Sequence, residues 1–530
     1  MMPILYNREE FLMVCFIKKH AKKITSLVLI GALAVSTVFY GFSDKTKTVE
    51  AKTDKTTNVT TVGNTKAPKY VFFFIGDGMS FPQVQITSDY LGAVRQNSTS
   101  EILSGNKYLN FMQFDTVGSA VTYDSSSFCP DSASTATSLS TGHKTYSGVI
   151  NMDETKSVSY ETIAEKLKKQ LGYKVGIISS VNINHATPAA YYAHQASRNN
   201  YYEIGTEMVN SGFEYFAGGE IKQPTGAKND QKSIYDLAKT AGYKVVTTQQ
   251  EAKALNSKSG KAIVIGETIA DGGALSYDID RKSDEWSLAE YVRTGINVLD
   301  NKKGFFMMVE GGKIDWACHA NDAGSTIKDT AALADAVDVA LSFYNKHKEE
   351  TLIIVTGDHE TGGLSIGYAG TDYDTFLTNL ANQKISYAKF DSDYVANYKK
   401  NNTAFESVLQ DIKKNFGLLT SSDVDAAKYP KLVLTNYEYN KLYQAYQKTL
   451  GKSKVTLDKQ EEYVLYGTYE PLTVTITHIL NNKSGINFST YAHTGLPVPV
   501  FAKGLGSNVF EGYYDNTSVY TKLASLLNIK

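Results

Sequence analysis

The sequence predicts an α/β fold: a mostly parallel central sheet with helices on both faces, plus an inserted helical surface subdomain. Three observations predict it. Runs that are apolar at every position recur along the chain, helical patterns lie between them, and the segment from about 386 to 484 breaks the rhythm. A strand buried on both faces reads as a continuous apolar run rather than an alternating one. Such runs alternating with helices mark parallel strands joined by crossovers.

The first run, YVFFFI at 70–75, ends in Gly-Asp-Gly. A helical period over 157–170 leads into YKVGIIS at 173–179, and a short run follows at 243–246. FFMMV at 305–309 ends in Glu-Gly-Gly. Alanine-rich packing positions predict a long helix over 321–348, and TLIIVT at 351–356 ends in Gly-Asp-His. Residues 498–502 supply a last strand. The 386–484 segment is rich in Lys, Tyr and Asn and carries several amphipathic stretches, which read as an insertion. No internal repeat is present.

At 530 residues the chain exceeds what one hydrophobic core usually supports, so one large domain with insertions, or one and a half domains, is expected. A formal charge of −1 offers no basic excess for nucleic acid. Lys18, Lys19, Lys22 and Lys23 precede an apolar run that ends near Phe42, and Val49-Glu50-Ala51 places small residues where a signal peptidase reads them. Residues 1–51 therefore read as a signal peptide, which predicts a secreted or cell-envelope protein. The alternative is an uncleaved anchor, since a run of about 19 residues is long enough to span a bilayer and would give membrane contact. Residues 52–67, rich in Lys and Thr, read as a flexible spacer. Cys129 and Cys318 alone lie beyond the leader, too few for a disulfide framework.

Chemistry-bearing residues gather after the strands. Asp77 follows the first run, Glu310 the FFMMV run, and Asp358-His359 the TLIIVT run. One such acid is ordinarily a turn former. Several carboxylates brought to one sheet edge repel unless cations neutralise them, which points to metal ions. In Glu310-Gly-Gly-Lys-Ile-Asp315-Trp-Ala-Cys-His319, Asp315 and His319 stand four apart and would share one helix face, a spacing that suits Zn²⁺. Pro130-Asp131-Ser132-Ala133 opens a stretch of small residues that reads as a helix N-terminus, where a serine alkoxide and phosphate oxygens are stabilised. In isolation, Asp131 or Ser132 reads first as a simple N-cap. His185-Ala-Thr187-Pro188 and Arg198 form a third cluster, with Arg198 suited to gripping two phosphate oxygens.

In order, these residues resemble the alkaline phosphatase family: Asp77 in IGDGM, Asp131-Ser132-Ala133, Thr187 in HATPAA, Arg198 in SRN, EGGKIDWACH, TGDHETGG, and His493 in AHTG. The resemblance covers most of 70–365 and 490–505. It implies a catalytic domain over 68–530 and hydrolysis of small phosphate monoesters through a phosphoserine on Ser132. It further implies that Asp315, His319 and His493 hold one Zn²⁺, and that Asp77, Asp358 and His359 hold a second. Asp77, Thr187 and Glu310 would hold a third ion, usually Mg²⁺, and Arg198, steadied by Asp131, would bind phosphate. Family members are often dimers, so a homodimer is part of the expectation. His185 and Trp316 stand where one branch has Asp and Lys. An imidazole at 185 opens the third site to Zn²⁺ or Co²⁺. His143, His194, His347 and His478 match no ligand position.

Overall fold

The structure is a computed structural model, and it describes residues 67–95 and 105–530; the leader and most of the spacer expected from the sequence lie outside them. Ten strands form one sheet: β1 (Tyr70–Gly76), β2 (Thr116–Val121), β3 (Lys174–Asn182), β4 (Tyr215–Gly219), β5 (Tyr243–Val246), β6 (Lys261–Ile265), β7 (Phe305–Gly311), β8 (Thr351–Gly357), β9 (Val498–Gly504) and β10 (Gly512–Asp515). Their order is β10-β2-β9-β8-β1-β7-β3-β4-β6-β5. All neighbouring pairs are parallel except those of β9, which is antiparallel to both β8 and β2.

Every residue of β1, β7 and β8 is buried, as their unbroken apolar runs require. Alternate side chains of β1 serve different cores. Phe72 and Phe74 join one cluster with Ile327 and Leu333, whereas Val71, Phe73 and Ile75 join another with Ala133, Ala136 and Leu523. The helices α1 (Phe81–Arg95), α2 (Ser132–Thr141), α3 (Leu288–Leu299), α4 (Lys313–His319) and α5 (Ala323–Tyr344) connect the strands.

Four strands carried too weak a sequence signal. β2 (TVGSAV) and β4 (YFAGG) are rich in glycine and alanine, while β6 and β10 are short. The strand at 498–504 is present but is followed by β10 and runs against the sheet. The helical period over 157–170 holds only in its second half. Thr162 caps a helix that begins at Ile163 in a reciprocal capping box with Glu165, and the preceding residues bridge back, Met152 to Ser159.

The 386–484 segment is helical, with α6 (Asn436–Thr449) and α7 (Pro471–Lys483) its two longest helices, followed by Phe405–Phe416. Its apolar residues Phe390, Leu442 and Ile476 belong to the same cluster as Ala323 and Ile327 of α5, so it shares the main core. From α7, Asn481 Nδ2 donates to the Asn321 carbonyl at 2.7 Å and His478 Nε2 lies 2.9 Å from Asn321 Oδ1. Among the described residues no helix is long and apolar enough to cross a membrane.

Candidate active site

Strand register creates the site. β1 lies between β7 and β8 with Gly76 opposite both Gly311 and Gly357, so the three carboxyl ends finish level. Asp77 and Asp358 each follow one of these aligned glycines, and Glu310 immediately precedes the third. Glycine at 357 lets the backbone of Met79 pass over it; a Cβ there would sit 1.9 Å from the Met79 carbonyl oxygen. Gly78, at φ 71°, turns its N–H to Asp358 Oδ1 at 3.1 Å.

Asp77, Asp358 and His359 are buried, and one ligand atom from each lies within 4.8 Å of the others. Asp77 faces two ways. Its Oδ1 is 3.3 Å from His359 Nε2 and 3.4 Å from Ser132 Oγ, while its Oδ2 accepts from Thr187 Oγ1 at 3.3 Å. Ser132 Oγ is also 3.1 Å from His359 Nε2. Ser132 is the first residue of α2, capped by Asp131, whose side chain accepts from Ser134 N. Asp131 also accepts from Gly148 N and, through Oδ2, from Arg198 Nη1 at 2.8 Å. Burial opposes the Asp131 charge, but Arg198 and these N–H donors hold its carboxyl below the usual range.

Asp315 and His319 share one face of α4, as their spacing predicts, with Nε2 3.3 Å from Asp315 Oδ1. His493 arrives from far downstream because His493–Thr494 pairs antiparallel with Glu360–Thr361. Its Nε2 lies 3.1 Å from His319 Nε2 and 3.5 Å from Asp315 Oδ1. One ligand atom each from Asp315, His359 and His493 also lies within 4.8 Å of the others, and the His359 and His493 rings stack at 3.7 Å. His359 therefore stands between the two clusters. His319 Nδ1 meets the Tyr491 carbonyl at 2.6 Å and His493 Nδ1 the Pro130 carbonyl at 2.5 Å. Those contacts let each Nδ1 donate to a carbonyl and turn each Nε2 toward Asp315, an orientation that suits a metal-ligating imidazole. Burial opposes the His319 charge, but Asp315 and the Tyr491 carbonyl raise its pKa to about 9.

Burial, reinforced by neighbouring carboxylates, raises the pKa of Asp77 and Asp358. Burial raises Glu310 as well, against a hydrogen bond from Ser179. Burial, with His493 adding to it, holds His359 neutral. Asp315 behaves differently: burial opposes its charge, but His319 and His493 hold its carboxyl well below the usual range. Buried carboxylates and imidazoles gathered in this way form a donor set suited to cations. Orphaned atoms point the same way: Glu310 Oε1 and His185 Nδ1 are buried without a hydrogen-bond partner. His185 precedes the short turn Ala186–Ala189 that carries Thr187, and its ring meets Trp316 at 6.0 Å.

Several residues close to this site drew no attention in the sequence. Thr361 donates to Asp315 Oδ1 at 2.6 Å, and Glu360 accepts from Gln83, Gly363 and Leu364. Their only signal was position, immediately after Asp358-His359. Ser179, opposite Glu310 in register, donates to it. The histidines matching no ligand position are engaged elsewhere: His143 stacks on Tyr160, His347 on Phe343, His194 sits between Glu165 and Glu207, and His478 meets Asn321.

A sequence model of the family described as alkaline phosphatase matches residues 68–529. The chain belongs to the alkaline phosphatase family. It is thus a hydrolase acting on phosphate monoesters, and the family is metal-dependent. Alkaline phosphatase 3 of Bacillus subtilis is 31% identical over 525 residues, covering 97% of this chain and 99% of that protein. Alkaline phosphatase 4 of the same organism is 31% identical over 459 residues, covering 84% and 86%. A cold-active alkaline phosphatase from a psychrophilic Shewanella species superposes with a TM-score of 0.69 at 27% identity, covering 86% of this chain and 99% of that one.

Proposed function

We propose that this alkaline phosphatase is exported and cleaves phosphate monoesters through a phosphoserine on Ser132, with two Zn²⁺ and a third ion, usually Mg²⁺, in the clusters described above. The observation that carries the reading is Ser132 Oγ at the start of α2, in contact with Asp77 and His359 and one residue after Asp131, which holds Arg198. Asp315, His319 and His493 would hold one Zn²⁺, Asp77, Asp358 and His359 the other, and Asp77, Thr187 and Glu310 the third ion. Bound cations would acidify the serine hydroxyl and offset charge on the departing alkoxide. Ser132 Oγ attacks phosphorus in line, the ester oxygen leaves with the alcohol, and the phosphoryl group stays on Ser132. Water then displaces the serine and releases inorganic phosphate. Arg198, oriented by Asp131, holds the non-transferred oxygens, so positioning and charge neutralisation supply most of the rate. The basic-then-apolar leader supports export.

Phosphate release from para-nitrophenyl phosphate, run beside its bis-ester, tests the reaction class. Monoester turnover well above diester turnover is expected, and the reverse order contradicts the reading. Arg198→Ala is expected to weaken inhibition by inorganic phosphate about tenfold or more, since a charged hydrogen bond contributes about 1.5–3 kcal/mol. Unchanged inhibition would place Arg198 outside the phosphate pocket.

The third site has its own test. Thr187 and Glu310 offer oxygens that suit Mg²⁺, whereas the His185 imidazole suits Zn²⁺ or Co²⁺. His185→Asp is expected to strengthen Mg²⁺ activation relative to Zn²⁺ and Co²⁺. Identical metal preference in metal-stripped parent and variant would remove His185 from the site.

A further inference from the structure

Lys313 occupies a costly position. It is the first residue of α4, where a cation opposes the helix dipole. Its side chain is 0% exposed and its ammonium has no hydrogen-bond partner. A buried unpaired ammonium is unfavourable unless its surroundings compensate. Here they are two aromatic faces and three acids: burial lowers the Lys313 pKa to about 8, against the pull of Asp271, Asp329 and Asp280. Nζ lies 4.0 Å from the centroid of the Tyr277 ring and 4.4 Å from that of Trp316, with Asp271 Oδ2 at 3.9 Å. A desolvated ammonium over an indole face is the strong form of the cation–π contact.

Trp316 is held on other sides too. The turn at 271–273 reaches it so closely that a Cβ on Gly272 would lie 3.3 Å from Cη2. That turn is tied to the end of β3, where Asn182 Nδ2 donates to the carbonyls of Gly272 and Gly273. His185 donates its backbone N–H to the Asn182 carbonyl at 2.9 Å and presents its ring to Trp316 at 75°. Lys313, Trp316, the turn and His185 thus form one wall beside Thr187.

We propose that Lys313 is a positioning residue: its ammonium, clamped between Tyr277 and Trp316, pins the indole against His185 and keeps that imidazole set for the third ion. The proposal rests on the third-site reading above, and its test separates the two. The chain has two tryptophans, Trp286 and Trp316, so Trp286→Phe leaves Trp316 as the sole indole reporter. In that background Lys313→Met keeps the length of the side chain and removes the charge. It also takes a counter-charge from Asp271 and buried Asp329, a stability cost that thermal unfolding of the variant measures separately. Trp316 emission is expected to shift to the red, and the Mg²⁺ activation constant to rise about tenfold, with kcat at saturating Mg²⁺ within about twofold of the parent. Lys313→Arg is expected to restore both the emission and the activation constant. Parent-like emission and Mg²⁺ response in Lys313→Met would overturn the proposal, as would failure of Lys313→Arg to restore them. A parent that does not respond to Mg²⁺ overturns the third-site reading instead, and the emission of the two variants still decides the clamp.

Discussion

Ser132→Ala is expected to lower kcat roughly a thousandfold or more while leaving bound zinc unchanged. The serine oxygen would be the nucleophile, and removing a nucleophile forfeits the covalent route. None of the carboxylate or imidazole groups that would hold metal is touched. Their positions depend chiefly on strand register and on backbone contacts such as Tyr491 to His319 and Pro130 to His493; the hydroxyl adds one contact each to Asp77 and His359. Residual turnover is expected from water attacking the bound ester directly. The fold should also persist, since Asp131 rather than Ser132 caps α2. Zinc content by atomic emission, measured beside turnover, checks the pair of outcomes. Parent-like rates would remove Ser132 from the chemistry, and loss of zinc would make it part of the metal scaffold.

Metal removal has the second large effect, and its pH dependence follows from the same carboxylates. Asp77, Asp358 and Glu310 have pKa values raised in the fold by burial and by neighbouring carboxylates: Asp358 and Asp315 act on Asp77 and on Glu310, and Asp315 acts on Asp358. A carboxyl raised above its unfolded value binds its proton more tightly when folded. Its contribution to stability is therefore present below the ordinary carboxylate range and lost as pH rises above it. The chelated protein is thus expected to become less stable as pH rises from the acid side, and also inactive. Bound cations reverse the trend by replacing those protons, adding about 3 kcal/mol at a hundredfold excess over Kd. Asp358→Asn is expected to lose zinc affinity and most activity, because one anionic ligand of a three-residue cluster is gone. Thermal unfolding of chelated and reloaded protein across pH checks this. A chelated protein as stable at alkaline as at acid pH would contradict it.

Much of this site was legible because its residues sit at strand ends, and strand ends are where apolar runs stop. YVFFFI and TLIIVT announce β1 and β8 and thereby place Asp77 and Asp358; the i,i+4 spacing places Asp315 with His319. The register that levels Gly76, Gly311 and Gly357 had no local signal, since it is a property of three strands far apart in sequence. His493 was recognisable through resemblance alone. Its pairing with Thr361 is a two-residue ribbon too short to leave a pattern. Thr361 and Ser179 escaped notice for a similar reason: a hydroxyl that donates to a buried carboxylate looks like any other strand-end Ser or Thr. β2 and β4 were missed because glycine and alanine replace the β-branched residues that mark a strand. The insertion was legible as helical, but its shared core with α5 depends on tertiary packing that composition does not encode.

The central claim is a covalent phosphoryl group on Ser132, and acid quenching during turnover tests it most directly. Protein mixed with excess monoester and quenched at low pH is digested, and the peptides are mapped by mass spectrometry. The account predicts one added phosphoryl group on the peptide containing Ser132, absent from Ser132→Ala. Phosphate found on another residue, or no phosphorylated peptide under conditions where turnover proceeds, would contradict it.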